Sequence, residues 1–312
     1  MKMIVMNKRI RPFGVLLATS ALLVSAGCGA VTAGPGAAAG HPGQLSIVTA
    51  FYPFQFIAER VAGSHATVTT LTQPGAEPHD VELTPRQVGA VSTADLVVYE
   101  RTFQAAVDEA VDQSGAADVL DTASVVPLKP LTAAEPGNGG LDPHVWLDPV
   151  NMVTIADAVA KRLSALDAEH ASTYAANAAA LGSELHAVDQ EYTAGLADCR
   201  RTEFITTHTA FGYLADRYGL TQLGITGLSP DAEPSPARVA KVQADAREHG
   251  VTTIFYETLV SPAIAKSIAG DLGLVTDVLD PIEGITETSR GRDYVAVMRS
   301  NLAALEKANG CA

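Results

Sequence analysis

The sequence predicts an α/β protein of two similar lobes, each a mainly parallel sheet flanked by helices, with one long rigid helix joining them. Three features of the chain carry this reading. Short β-branched runs alternate with helical segments from residue 45 to residue 120, the pattern of units whose strands pair in parallel. From 150 to 198 strands disappear and the pattern is helical. From 203 onward the alternation resumes. A length of 312 residues suits about two domains, and 47% hydrophobic with 18% charged residues is ordinary globular material. Aromatic residues make up only 5%, so aliphatic side chains have to build the core.

The first residues stand apart from that fold. Lys2, Lys8, Arg9 and Arg11 precede an apolar run over 13–24, followed by Ser25, Ala26, Gly27 and Cys28, the layout of an export signal. The run is shorter than the roughly 20 residues that cross a bilayer. A cysteine directly after Ala-Gly resembles a bacterial lipoprotein signal, so residues 1–27 are expected to be removed and Cys28 to carry lipid. Residues 28–44 read as a flexible tether. Loss of 1–27 takes away four basic and no acidic residues, moving the formal net charge from −14 to −18. Such a chain repels nucleic acid and anionic surfaces, which leaves a cation or a neutral molecule as the natural ligand. The other two cysteines, Cys199 and Cys311, are an isolated pair, which in an oxidising compartment is expected to form a disulfide.

The first lobe, 45–166, opens on a strand over 45–50 and a helix that begins at Pro53 and ends near Gly63. A second strand over 66–71 runs out into a Gly/Pro loop that holds His79 and Asp80. Thr84 followed by Pro85 is an N-cap with proline at the first helical position. Strand 95–99, helix 103–113 and strand 118–120 follow. The stretch 141–149, LDPHVWLDP, sets His144 between two Asp-Pro pairs, where proline stiffens the turn and pushes Asp142 and Asp148 into extended backbone. Tyr174, Ala178, Leu181, Leu185, Val188 and Tyr192 form one apolar seam, so 167–198 reads as the connecting helix. The second lobe, 199–312, has strands over 203–207, 221–225, 253–256 and 274–279, with helices over 211–218, 235–249, 261–270 and 294–307.

Ligands of open parallel sheets sit beyond the carboxyl ends of the strands. His79, His208 and Asp280 follow predicted strands there, and His144 lies in the bracketed turn, two donors from each half. Three imidazoles and a carboxylate suit a borderline divalent ion such as zinc. Each ligand histidine is expected to give its other ring N–H to a carboxylate or backbone carbonyl. Trp146 and Phe211 are expected to wall the site. The sequence has no HExxH, GxSxG, P-loop or CxxC motif, which argues against an enzyme.

The segments GAEPHDVELTPRQV, DPHVWLDP, THTAFGYLADRYGL, GLSPDAEPSP, IFYETLVSP and VLDPIEG together resemble the metal-binding lipoproteins that deliver zinc or manganese to ABC importers, the cluster A-I substrate-binding proteins. They span nearly the whole mature chain in that family's order. Asp142, Asp148, Asp231, Glu233 and Glu257 all lie in these segments, which makes them the candidates for holding the outer ring nitrogens of the histidines. The resemblance implies an extracytoplasmic receptor, anchored by lipid at the outer face of the cytoplasmic membrane or in the periplasm, that binds metal through His79, His144, His208 and Asp280. It also implies delivery of the ion to a permease with its ATPase, and little domain movement on loading. Histidine at the third position is the zinc pattern and glutamate the manganese one, so His208 favours Zn(II). The chain departs from many zinc members in that 129–140 holds no histidine. Nothing points to a dimer. A manganese or mixed-metal receptor is the alternative within this class, and a zinc-dependent hydrolase or a metal-stabilised adhesin the alternative outside it.

Overall fold

Runs such as Ile47-Val48-Thr49 and Val97-Val98 pack both faces against apolar neighbours, which is why they appear in the middle of parallel sheets covered by helices on each side. The computed structural model describes residues 44–116, 118–131 and 140–312. The chain divides into two units, Met1–Ala38 and Ala39–Ala312. The first, with the expected export signal, Cys28 and most of the tether, lies outside the described residues, and every element named below belongs to the second.

The elements run β1 (Leu45–Thr49), α1 (Tyr52–Ala62), β2 (Ala66–Thr70), α2 (Pro85–Thr93), β3 (Leu96–Tyr99), α3 (Ala105–Ser114), β4 (Val119–Asp121), β5 (Lys129–Pro130), β6 (Leu141–Asp142), α4 (Pro149–Leu166) and α5 (Ala171–Gly195). They continue with β7 (Glu203–Thr206), α6 (Gly212–Tyr218), β8 (Thr221–Gly224), α7 (Pro236–Glu248), β9 (Thr253–Tyr256), α8 (Ala263–Leu272), β10 (Val275–Val278) and α9 (Tyr294–Asn309). The first sheet has the order β2-β1-β3-β4 and the second, read from its other edge, β8-β7-β9-β10, with every pairing parallel. The two sheets therefore share one topology. In each, the chain steps from its first strand to one side and returns on the other, which opens a crevice at the carboxyl ends. The short antiparallel pair β5–β6 has no counterpart in the periodicity, because two residues are too few to show any.

Helix starts follow local chemistry. Thr84 accepts from the Gln87 backbone while the Gln87 side chain accepts from the Thr84 N–H, a capping box that fixes α2. Asp148, Ser235 and Asp293 cap α4, α7 and α9 in the simpler way. The connecting helix is shorter than 167–198. Asp167 takes the His170 ring nitrogen and the Tyr174 hydroxyl on one carboxylate oxygen, and a tight turn over Ala168–His170 precedes α5. At about 1.5 Å per residue its 25 residues span roughly 37 Å. All six seam residues of α5 are buried, against α1, α4 and α9.

The main core does not stop at the seam between the lobes. Ile47, Trp146, Tyr192, Phe211 and Met298 belong to one apolar cluster, while Ile205, Ile225, Val242, Ile254 and Ile268 form a second within the second lobe. Polar ties cross the same seam: the Tyr192 hydroxyl donates to the Met298 carbonyl (2.7 Å), and Tyr294 to that of Trp146 (2.6 Å). Cys199 and Cys311 form the expected disulfide, 112 residues apart in sequence. In the chain-entropy account a loop that long contributes about 4–5 kcal/mol by restricting the unfolded chain. The double variant Cys199→Ser, Cys311→Ser is expected to keep the native circular dichroism spectrum while losing several kcal/mol in urea unfolding, and reduction of the wild type should lose a similar amount.

Candidate metal centre

Four side chains converge where the two crevices face each other. The ring nitrogens of His79, His144 and His208 and a carboxylate oxygen of Glu283 all lie within 4.8 Å of one another. Glu283 Oε1 is 3.4 Å from His79 Nε2, 3.7 Å from His144 Nε2 and 3.6 Å from His208 Nε2, and the last two nitrogens are 3.4 Å apart. A tetrahedral ion with donors about 2.1 Å away has donor–donor edges of about 3.4 Å, so these spacings already fit zinc. Both Glu283 oxygens and His79 Nε2 are buried without a hydrogen-bond partner. Burying polar atoms in that condition costs about 1–3 kcal/mol each, a cost a bound cation would remove.

Each donor is placed by its element. His79 sits in the loop after β2, with its N–H on Glu77 Oε1 (3.0 Å) and the neighbouring Pro78 carbonyl taking the buried Gln104 amide (2.9 Å). His144 follows β6, and Asp142 Oδ1 receives both its N–H (3.0 Å) and its Nδ1 (2.8 Å). The Tyr213 hydroxyl from the other lobe donates to the Asp142 carbonyl (2.9 Å). His208 and Glu257 leave the adjacent strands β7 and β9, which sets Glu257 Oε1 2.6 Å from His208 Nδ1. The ring bonds of His144 and His208 leave the Nε2 of each facing inward. Phe103 closes the edge of His79, and Trp146 lies 5.1 Å, ring to ring, from His144. The His79 side chain is 8% exposed while His144 and His208 are at 0%, so solvent reaches the group from the His79 side.

The structure departs from the sequence reading at the carboxylate. Asp280 does end the strand as expected, but its Oδ1 accepts from the Ile282 N–H (2.8 Å) and its Oδ2 from the Thr258 hydroxyl (3.1 Å), away from the imidazoles. Pro281 and Ile282, with φ +60°, turn the chain so that Glu283, three residues on, faces the histidines instead. The strand-exit rule selects the first acidic residue after a strand. The signal it passes over is the Asp-Pro pair, which marks a turn and makes the next acid beyond the turn one to consider. Asp142 and Glu257 hydrogen-bond the imidazoles of His144 and His208. Asp148 does not, since it caps α4 and pairs with Arg217. Asp231 and Glu233 are exposed on the loop before α7. Phe211 packs on Phe204, and Phe103, which the sequence did not single out, takes the wall position at His79.

Charge in the group is unevenly held. Burial pulls the His208 imidazole down, but the Glu257 and Glu283 carboxylates outweigh it and keep its proton well above the ordinary histidine range. His144 is moved the other way, because burial outweighs Asp142. Glu283 is held well below the usual carboxylate range, burial being outweighed by the imidazoles of His208 and His79. Glu77, at the mouth, is pushed up to about 8 by burial and by Glu283. Asp280 is pushed up to about 6, chiefly by burial.

Residues 47–308 match the family described as zinc-uptake complex component A, periplasmic. The zinc-binding lipoprotein AdcA of Streptococcus pneumoniae is 36% identical over 280 residues, covering 85% of this chain and 56% of that protein. This chain thus spans just over half the length of that curated relative. The high-affinity zinc uptake system protein ZnuA of Bacillus subtilis is 32% identical over 307 residues, covering 94% of this chain and 96% of its own. Among solved structures, the Zn(II)-bound ZnuA-like domain of S. pneumoniae AdcA superposes with a TM-score of 0.72 at 37% identity, covering 86% of this chain and 99% of that one.

For Asp280 the sign of the pH effect follows from its shift. A carboxyl that is protonated more readily when folded costs stability as pH rises from its ordinary value near 3.8 to about 6. Asp280→Asn, in metal-free protein, is therefore expected to gain on the wild type by up to about 3 kcal/mol between pH 4 and pH 7 in urea unfolding.

Proposed function

Since the chain belongs to the family of the periplasmic component A of zinc-uptake complexes, we propose that it is an extracytoplasmic solute-binding protein that captures Zn(II) between its lobes and delivers it to an ABC permease. The observation that carries this reading is the convergence of three imidazoles and one carboxylate, with the three Glu283 edges and the His144–His208 edge at 3.4–3.7 Å, close to the edges of a zinc tetrahedron. His79, His144, His208 and Glu283 are the donors. Three nitrogens favour zinc over manganese, which prefers oxygen. The ion is cargo and not a reagent. Four protein donors leave no position for a reactive water, so the hydrolase alternative has no chemistry here. Lipid on Cys28 anchors the receptor, a single copy suffices for the site, and the permease acts with its ATPase.

Loading and release follow from the same geometry. The ion enters past His79, the one partly exposed donor, and meets Glu283, already ionised by its imidazole neighbours. The ligating imidazoles have to be neutral, so the proton that His208 holds leaves as the ion arrives. Because the apolar core is continuous across the seam, release depends on docking at the permease loosening a few donors and not on wide opening of the lobes.

Elemental analysis of protein purified without added metal, followed by competition between zinc and manganese, tests the assignment. About one zinc per chain that manganese does not displace is expected, and a chain without tight zinc would overturn it. Titration calorimetry should show Glu283→Gln weakening zinc binding more than tenfold, about 1.4 kcal/mol or more, with Asp280→Asn close to wild type. The raised His208 value sets the pH dependence. Zinc affinity is expected to fall with decreasing pH while the pH is still above about 6.5, the ordinary histidine value, with proton release on binding visible in buffers of different ionisation enthalpy.

A further inference from the structure

We propose that Trp146 is a positioning residue for Glu283, and that its indole N–H, bonded across the seam to the Pro281 carbonyl, slows loss of the ion; the inference rests on the zinc site proposed above. The bond is 2.7 Å long and fully buried. Its ends are two residues from two donors: Trp146 follows His144 by two, and Pro281 precedes Glu283 by two. One hydrogen bond thus sets the distance between a donor of each lobe.

The indole is itself immobile. Its ring packs against Phe51 at 4.7 Å and Phe103 at 5.2 Å, and the Tyr294 hydroxyl donates to its carbonyl. The turn it holds has a reason to move. Ile282, β-branched and at φ +60°, sits in the left-handed region that such residues avoid, and conformations of that kind persist only where surrounding contacts fix them. Asp280 Oδ1 on the Ile282 N–H and the Trp146 indole on the Pro281 carbonyl fix the turn, together with Asn301 on the Asp280 backbone and burial of the Ile282 side chain in the core; of these the indole bond is the one that holds the Pro281 carbonyl. Without it, Ile282 can relax toward ordinary backbone and carry Glu283 away from the imidazoles. His144 and His208 would stay, since Asp142 and Glu257 hold them independently. The effect of the indole N–H, as distinct from the ring that also packs on His144, should therefore pass through Glu283.

The test uses the full chain loaded with one zinc and mixed rapidly with excess chelator. Trp146→Phe is expected to release zinc more than tenfold faster with little change in association rate. In a Glu283→Gln background the same change should add less than twofold, a coupling that general loosening of the fold would not produce. Trp146 is the only tryptophan in the chain, so global replacement of tryptophan by its benzothienyl isostere, which lacks the N–H, alters this one bond and keeps the ring. The isostere should release as fast as Trp146→Phe and decides the matter if the phenylalanine variant does not fold. Release within twofold of wild type from the isostere, or an equal acceleration in the Glu283→Gln background, would overturn the proposal. Failure of the wild type to bind zinc would instead remove the site on which it rests.

Discussion

A carboxylate with no hydrogen-bond donor of its own can stay buried only if positive charge faces it, and in this protein that carboxylate is Glu283. Both of its oxygens are buried without a hydrogen-bond partner, with three imidazole nitrogens 3.4–3.7 Å from one of them. In the metal-free state the proton on His208 supplies the compensating charge, held there by Glu257 behind it. A dication supplies it better, since it also satisfies the nitrogens that a single proton leaves facing one another. The group is thus arranged around a cation before any cation arrives, and the rest of the structure reads as the means of bringing Glu283 and the three histidines to one place.

That means is duplication of one topology. Two sheets with the same strand order open their crevices toward each other, and each contributes donors from its carboxyl ends. Holding four groups from two lobes within 4.8 Å of one another requires that the lobes not drift. The continuous apolar cluster, the long α5 against α1, α4 and α9, and the tyrosine and tryptophan hydrogen bonds across the seam supply that rigidity. On the proposed reading, selectivity for a small, tetrahedrally bound ion rests on distances the fold fixes and not on closure around the ligand.

Most of this was legible in the sequence because it rests on local signals. Alternating strand and helix periods gave the two lobes, Thr84-Pro85 and Asp148-Pro149 marked helix starts, and the strand exits located His79 and His208. Asp142 and Glu257 could be nominated because both lie in the segments that carry the family resemblance, and they hydrogen-bond His144 and His208. The misreading of Asp280 has a physical cause. Sequence order says which acid comes first after β10, but which acid faces the imidazoles depends on the φ of Ile282, and an isoleucine carries no hint that it will adopt +60°. The seam contacts were illegible for a related reason: a hydrogen bond between Trp146 and Pro281 joins residues 135 apart, which no periodicity encodes.

Everything turns on four protein donors, three of them imidazole and the fourth the carboxylate of Glu283, closing around one zinc ion. X-ray absorption at the zinc edge of the loaded protein measures this directly. Four nitrogen and oxygen neighbours at about 2.0–2.1 Å, with outer-shell scattering from three imidazoles that persists in Asp280→Asn and loses an oxygen in Glu283→Gln, is the expected result. Five or six neighbours, fewer than three imidazoles, or a spectrum altered by Asp280→Asn and not by Glu283→Gln would contradict it.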